Sequence, residues 1–141
     1  MSDRIAPTNP QTDATTAPRK RILVVDDHRD AAESLGIVLR LVGYDVKTAH
    51  DGQQALVVAE VYRPHLVLLD IGLPGMSGYE VARRLRLEPG AGPTKLVALS
   101  GYAREQDRQR ALAAGFDDYL VKPVDFDALY KLLAALDSTA D

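Results

Sequence analysis

The chain has 141 residues, of which 46% are hydrophobic and 26% charged, with a formal net charge of −3 and no cysteine. This composition is typical of one globular domain; it excludes disulfides and thiolate metal sites and gives no sign of affinity for nucleic acid or a membrane surface. Neither an apolar run of the ~18 residues that span a bilayer nor a hydrophobic signal region is present, so we expect a cytoplasmic protein.

The first twenty residues are the least globular part of the chain. They contain three prolines among Thr, Asn, Gln and Ala, a composition that buries too little apolar surface to offset the entropy of ordering. We therefore predict a flexible tail over residues 1–20, a folded domain over residues 21–137 and a short tail over residues 138–141.

From residue 21 onwards, short hydrophobic strands alternate with segments of helical periodicity. The predicted strands are Arg21–Asp26, Tyr44–Thr48, His65–Asp70, Lys95–Ser100 and Tyr119–Val121. The predicted helices are Ala31–Val42, Gln53–Tyr62, Tyr79–Leu87, Arg104–Ala114 and a last helix that places Phe126, Leu129, Tyr130, Leu133 and Leu136 on one face. Gly43 and Gly115 are placed to end the first and fourth helices.

This alternation indicates an α/β fold with βαβ units, a five-stranded parallel sheet and helices on both of its faces. The second strand alternates apolar and polar residues, which is typical of an edge. An edge position fits the doubly wound, flavodoxin-like strand order 2-1-3-4-5. Other α/β strand orders stay open from the pattern alone.

Polar residues end four of the predicted strands: Asp26 with Asp27, Asp70, Ser100 and Lys122. In an open α/β sheet the ligand site lies at the carboxyl ends of the strands, where the strand order reverses. With the order 2-1-3-4-5 this reversal falls between the first and third strands, which carry the three aspartates. We therefore expect these residues to form one site.

Three carboxylates in one pocket need a cation, because each pair ~4 Å apart repels by about 4 kcal/mol at an effective dielectric constant of ~20. An all-oxygen ligand set favours a hard ion such as Mg²⁺. A carboxylate is also a competent nucleophile for phosphoryl transfer. Lys122 and the Ser100 hydroxyl are suited to hold the phosphoryl oxygens.

From about Arg19 to Leu136 the chain resembles a response-regulator receiver domain. The stretches that carry the resemblance are VVDD, LVLLDIGLPGMSGYE, ALSGYA and AGFDDYLVKPVD, in that order along the chain. The resemblance implies that Asp70 is the phosphoacceptor. It also implies that Asp26, Asp27, Asp70 and the backbone carbonyl of Gly72 bind Mg²⁺, for which Mn²⁺ is a possible substitute.

The same resemblance implies a switch. Ser100 corresponds to the switch hydroxyl, Lys122 to the phosphoryl-binding lysine and Tyr119 to the switch aromatic residue, and the Lys122–Pro123 peptide to one that is usually cis. Gly72 and Tyr102 should flank the phosphoryl group and so influence how fast the acyl phosphate hydrolyses. Gly101 stands where many receivers carry Ala.

We therefore expect a two-component or phosphorelay protein that catalyses only its own phosphorylation and dephosphorylation. The phosphoryl donor would be a sensor or hybrid histidine kinase or a histidine phosphotransfer protein. The downstream target would be another protein, since the sequence has no room for a DNA-binding output domain. The protein would be a monomer or a weak dimer through the face of strands four and five and the last two helices.

Three rival functions share features with this sequence, and for each of them the chain lacks a required feature or has a residue too many. A haloacid-dehalogenase-type phosphatase needs a second Asp two residues after the first, where this chain has Gly72. A phosphorylation-independent receiver typically loses an acidic residue or the lysine, and this chain keeps them all. A flavin carrier needs a phosphate-binding loop after the first strand, which is lacking.

Gly75 and Gly78 are assigned to backbone geometry, and none of His28, His50 and His65 has a defensible ligand spacing.

Overall fold

The computed structural model describes residues 19–88, 94–102 and 104–138. The strands are β1 (Arg21–Val25), β2 (Asp45–Ala49), β3 (Leu66–Asp70), β4 (Lys95–Ser100) and β5 (Asp118–Val121). The helices are α1 (Arg29–Leu41), α2 (Gly52–Tyr62), α3 (Gly78–Leu87), α4 (Glu105–Ala114) and α5 (Phe126–Asp137). Most of the two predicted tails lies outside the described residues. Lys20, the last residue of the predicted N-terminal tail, donates a hydrogen bond from Nζ to the Leu136 carbonyl at 3.0 Å.

The five strands form one parallel sheet in the order β2-β1-β3-β4-β5, which confirms the predicted topology. All five residues of β3 are buried, whereas in β2 only Val46 and Ala49 are. This difference follows from position, because a central parallel strand is covered on both faces and an edge strand is not.

Alternate residues of each strand belong to two separate cores, as the two-residue period of a strand requires. Leu23 and Val25 of β1 pack in the core that α2, α3 and α4 cover. Ile22 and Val24 pack in the opposite core, which α1 and α5 cover. The helices therefore lie three on one face and two on the other, and the carboxyl ends of all strands are left at one edge.

The last helix is less embedded than its apolar pattern predicts. Leu129, Leu133 and Leu136 are buried, but Phe126 and Tyr130 are 47% and 44% exposed. At 100° per residue these two rings lie on the flank of the leucine stripe, where the surface of the helix turns away from the sheet. They stack on each other with ring centroids 6.3 Å apart.

Within the described residues, no helix has both the length and the apolarity that crossing a bilayer would require.

At the end of the sheet opposite the aspartates, the Arg86 side chain forms hydrogen bonds with three residues of other segments. Its guanidinium donates to the Gly115 carbonyl (2.9 Å), to the Thr94 carbonyl (2.7 Å) and to Asp117 Oδ2 (2.5 Å). The same Asp117 oxygen accepts the Leu96 amide at 2.8 Å. A planar fork is needed for three such bonds, and a lysine ammonium cannot reproduce it.

We therefore expect Arg86→Lys to lower the free energy of unfolding by about 2 kcal/mol, since a charge-assisted hydrogen bond contributes about 1.5–3 kcal/mol and part of the network survives. Urea denaturation measures the change. Arg83→Lys is the matched control: Arg83 is an exposed partner of Glu80, for which about 0.5 kcal/mol or less is expected. Equal losses in the two variants would contradict the role given to the Arg86 network.

Candidate functional site

The site lies at the carboxyl edge of the sheet, where four strands deliver polar side chains. Asp26 directly follows β1, Asp70 is the last residue of β3, Ser100 is the last residue of β4, and Lys122 directly follows β5. Asp26, Asp70 and Ser100 are the buried polar residues among those described. The parallel register aligns the ends of β1, β3, β4 and β5, and this alignment brings together residues that are 96 positions apart in sequence.

Lys122 bridges two of the three carboxylates. Its Nζ lies 3.0 Å from Asp26 Oδ2 and 3.1 Å from Asp70 Oδ2. The second oxygen of Asp26 accepts the His28 amide at 3.0 Å, and the second oxygen of Asp70 accepts the Gly72 amide at 2.8 Å. Each oxygen has a further lone pair, so both carboxylates keep the capacity to bind a cation.

The ion pairs determine the charge state of the site. Burial by itself raises the pKa of Asp26, but the His28 amide and Lys122 outweigh burial and hold that pKa below its ordinary value. Burial likewise disfavours the charged Lys122, but its hydrogen bonds to Asp26 and Asp70 raise its pKa above the ordinary value. Asp26 and Lys122 are therefore both ionised at neutral pH.

The acidic residues have the geometry of a cation site. Ligand atoms of Asp26, Asp27, His28 and Asp70 all lie within 4.8 Å of one another. Among the described residues, Asp27 Oδ1 is the buried side-chain oxygen that has no hydrogen-bond partner, a state that costs free energy unless an ion or water satisfies it. Three carboxylates face one ammonium group, so the residues fit a hard divalent cation such as Mg²⁺. His28 is 75% exposed and lies at the rim.

The predicted switch residues Ser100 and Tyr119 are linked beside the site by hydrogen bonds through Tyr102. Ser100 Oγ accepts the Tyr102 amide at 3.1 Å. The Tyr102 carbonyl in turn accepts the Tyr119 hydroxyl at 2.5 Å. The Tyr119 ring is buried, whereas the Tyr102 side chain is 61% exposed. The Lys122–Pro123 peptide is cis.

One histidine that sequence reasoning left without a role lies against the acidic pair. His50 Nδ1 is 3.0 Å from the backbone carbonyl of Asp26. The signal that could have found it is its position directly after β2, because β2 neighbours β1 in the sheet and their carboxyl ends meet. His65, by contrast, is at the opposite end of the sheet, where its Nδ1 accepts the Arg21 amide at 2.9 Å.

Proteins of similar sequence include response regulators. The family model of the response regulator receiver domain matches residues 22–134. An uncharacterised 14.6 kDa protein of Leptolyngbya boryana is 41% identical over 118 residues, which cover 84% of this chain and 90% of that protein. The DNA-binding response regulator MtrA of Mycolicibacterium paratuberculosis is 47% identical over 105 residues; these cover 74% of this chain but only 45% of MtrA.

Solved structures agree with the sequence matches. The receiver domain of the sensor histidine kinase PA1611 of Pseudomonas aeruginosa has a TM-score of 0.78 and 32% identity, covering 86% of this chain and all of that one, and holds a magnesium ion in its active-site cleft. The receiver domain of Ssk1 of Saccharomyces cerevisiae, solved with the histidine phosphotransfer protein Ypd1, has a TM-score of 0.79 and 31% identity, covering 88% and 94%. The chain therefore belongs to the response-regulator receiver domains of two-component signalling, with their CheY-like fold.

Proposed function

We propose that Asp70 accepts a phosphoryl group from a phosphohistidine of a partner protein, in a reaction that requires a divalent cation. The observation that carries this proposal is that Asp70 lies beside both the Lys122 ammonium and the acidic pair, where Asp27 Oδ1 has no hydrogen-bond partner. Such a site combines a nucleophile, a cation position and a fixed positive charge.

The residues that would hold the cation are Asp26, Asp27, Asp70 and the Gly72 carbonyl. Mg²⁺ is the expected ion, as in the PA1611 receiver, and Mn²⁺ is the expected substitute. When bound, the ion neutralises charge on the phosphoryl oxygens during transfer. Removing it with a chelator should therefore stop phosphorylation without unfolding the domain, because Lys122 remains to balance Asp26 and Asp70.

In the transfer, a carboxylate oxygen of Asp70 forms a bond to phosphorus as the bond from phosphorus to the histidine nitrogen breaks. The electron pair of that bond stays on the imidazole, which takes a proton from solvent and leaves as neutral histidine. Lys122 holds a phosphoryl oxygen through an ion pair, and the Ser100 hydroxyl donates a hydrogen bond to another. Gly72 and Tyr102 flank the group and influence its rate of hydrolysis.

Movement of Ser100 toward the phosphoryl group is the proposed switch. Because Ser100 Oγ holds the Tyr102 amide and the Tyr102 carbonyl holds the Tyr119 hydroxyl, a shift of Ser100 changes the segment on which Tyr119 rests. The surface of β4, β5, α4 and α5 then changes with it. This surface would bind the downstream protein or a second copy in a weak dimer.

The phosphoryl donor would be a histidine kinase or a histidine phosphotransfer protein. The Ssk1 receiver, which was solved with such a phosphotransfer protein, supports the second of these for this fold. Profiling transfer from a panel of both classes would identify the donor.

The deciding experiment uses a small donor in place of the partner. We expect wild-type protein incubated with phosphoramidate and Mg²⁺ to gain the mass of one phosphoryl group, and to gain none with EDTA. Borohydride reduction followed by peptide mapping locates the acyl phosphate, which we expect at Asp70. Modification at another residue would contradict the proposal, and steady hydrolysis of a phosphomonoester would favour a phosphatase instead.

A further inference from the structure

His50 holds the backbone of the acidic pair. Its Nδ1 lies 3.0 Å from the Asp26 carbonyl oxygen, and its ring is partly buried. A carbonyl oxygen can only accept, so Nδ1 must carry the hydrogen. The contact thus specifies one tautomer, or the doubly protonated ring, and makes His50 a donor to the peptide that joins Asp26 to Asp27.

Every other polar group of Asp26 is also fixed. Its amide donates to the Ala49 carbonyl at 3.0 Å, its Oδ1 accepts the His28 amide and its Oδ2 accepts Lys122. The remaining polar group, the Asp26 carbonyl oxygen, accepts the hydrogen bond from His50. Without this bond the Asp26–Asp27 peptide would lose the restraint on one of its two polar groups.

Asp27 depends on this peptide for its position. Its Oδ1 is buried but accepts no hydrogen bond in the described part of the chain. Apart from His28 Nδ1 at 3.6 Å, this oxygen depends for its direction on the backbone that carries it, and the peptide that His50 holds directly precedes Asp27. A small rotation of the peptide moves the oxygen that is free to bind a cation.

His50 is itself held in place. Its backbone amide donates to Gln54 Oε1 at 2.7 Å. The backbone amide of Gln54 donates to Asp51 Oδ1 at 2.7 Å at the start of α2. Ala49, the residue before it, pairs with Val25 in the sheet. The backbone that carries the ring is thus anchored between an edge strand and a helix N-terminus, and the ring itself is held by its bond to the Asp26 carbonyl.

We propose that His50 is a positioning residue that sets the affinity of the acidic pair for its divalent cation, by donating from Nδ1 to the Asp26 carbonyl. This inference rests on the proposed function, since it concerns the same cation site. Removing such a supporting hydrogen bond typically weakens metal binding by about 10-fold or more.

The test compares His50→Leu with His50→Asn. The leucine has similar bulk but no donor, whereas the asparagine carries an amide N–H on Cγ, as the histidine carries Nδ1–H. We expect the Kd for Mg²⁺, measured by amide chemical shifts in an NMR titration, to rise about 10-fold in His50→Leu and to stay within about 2-fold of wild type in His50→Asn. Equal affinities in all three proteins, or equal losses in both variants, would overturn the inference.

A measurement on the wild type removes dependence on the folding of the variants. Long-range ¹H–¹⁵N correlations of the His50 ring should show a protonated Nδ1. A bare Nδ1 with hydrogen on Nε2 alone would overturn the inference. Phosphoryl uptake by the wild type is recorded in parallel: uptake at Asp70 together with unchanged variant affinities refutes only the role of His50, whereas no Mg²⁺ binding and no uptake refutes the proposed function.

Discussion

Asp70→Asn is expected to abolish phosphoryl uptake and, in the same protein, to leave the fold no less stable. The amide lacks the negative oxygen that attacks phosphorus, so uptake from phosphoramidate should fall below detection by intact mass. The variant keeps nearly the same shape, and its Oδ1 can still accept the Gly72 amide, a bond that the aspartate makes at 2.8 Å. Loss of uptake would then reflect chemistry and not unfolding.

The stability change follows from the balance of charges around Asp70. Two other carboxylates lie within 4.8 Å of it, each repelling by about 3.5 kcal/mol at an effective dielectric constant of ~20, while Lys122 at 3.1 Å attracts by about 5 kcal/mol. Burial of the charge adds a further cost. We therefore expect the free energy of unfolding to rise by about 2 kcal/mol without metal, as measured by urea denaturation.

Addition of Mg²⁺ should change the stability of the wild type and of Asp70→Asn by different amounts. It should stabilise the wild type according to its affinity and the concentration used, and stabilise Asp70→Asn much less. If the metal-free variant lost more than about 1 kcal/mol, the ion pair with Lys122 would outweigh repulsion and our account of the site's charge would be wrong. If it still took up phosphate, Asp70 would not be the acceptor.

Gly78→Ala is expected to destabilise the protein by about 3 kcal/mol, the upper part of the range for overpacking a rigid site. A Cβ at this position would lie 2.4 Å from Ile71 Cα and 2.6 Å from the Asp70 carbonyl oxygen. Both contacts are with backbone, so no side-chain rotation relieves them, and α3 must move away from the end of β3. Urea denaturation measures the loss of stability.

The same substitution should slow phosphorylation, because the backbone that has to shift carries Asp70 itself. Gly101→Ala is the matched control: a Cβ there meets nothing within 4 Å, and a change of about 0.5 kcal/mol or less is expected. Gly75→Ala should lower the free energy of unfolding by an intermediate amount, about 1 kcal/mol, because Gly75 has φ +75° and alanine is strained at a positive φ. Equal effects at Gly78 and Gly101 would contradict the packing explanation.

The sequence by itself determined the number, type and order of the elements. Buried parallel strands are recognisable as short continuous apolar runs, and the alternating β2 as an edge, because these patterns depend only on which faces are covered. The predicted boundaries differ from the observed ones by one or two residues. For example, β1 ends at Val25 and not at Asp26, and α1 begins at Arg29 and not at Ala31. Polar residues flanking an element carry no periodicity, so they do not mark its end sharply.

The constellation of Asp26, Asp70, Ser100 and Lys122 could also be predicted, since strand ends and topology suffice to place residues at one edge. Contacts that depend on packing distances could not. Exposure of Phe126 and Tyr130 depends on how the flank of α5 lies against the sheet, and the need for glycine at 78 on how closely α3 approaches β3. The position of His50 directly after β2 places it near Asp26, but its bond to a backbone carbonyl is not marked by the residue type of the acceptor, because any residue offers that acceptor. Local patterns thus determine what the elements are, and tertiary packing decides which atoms meet.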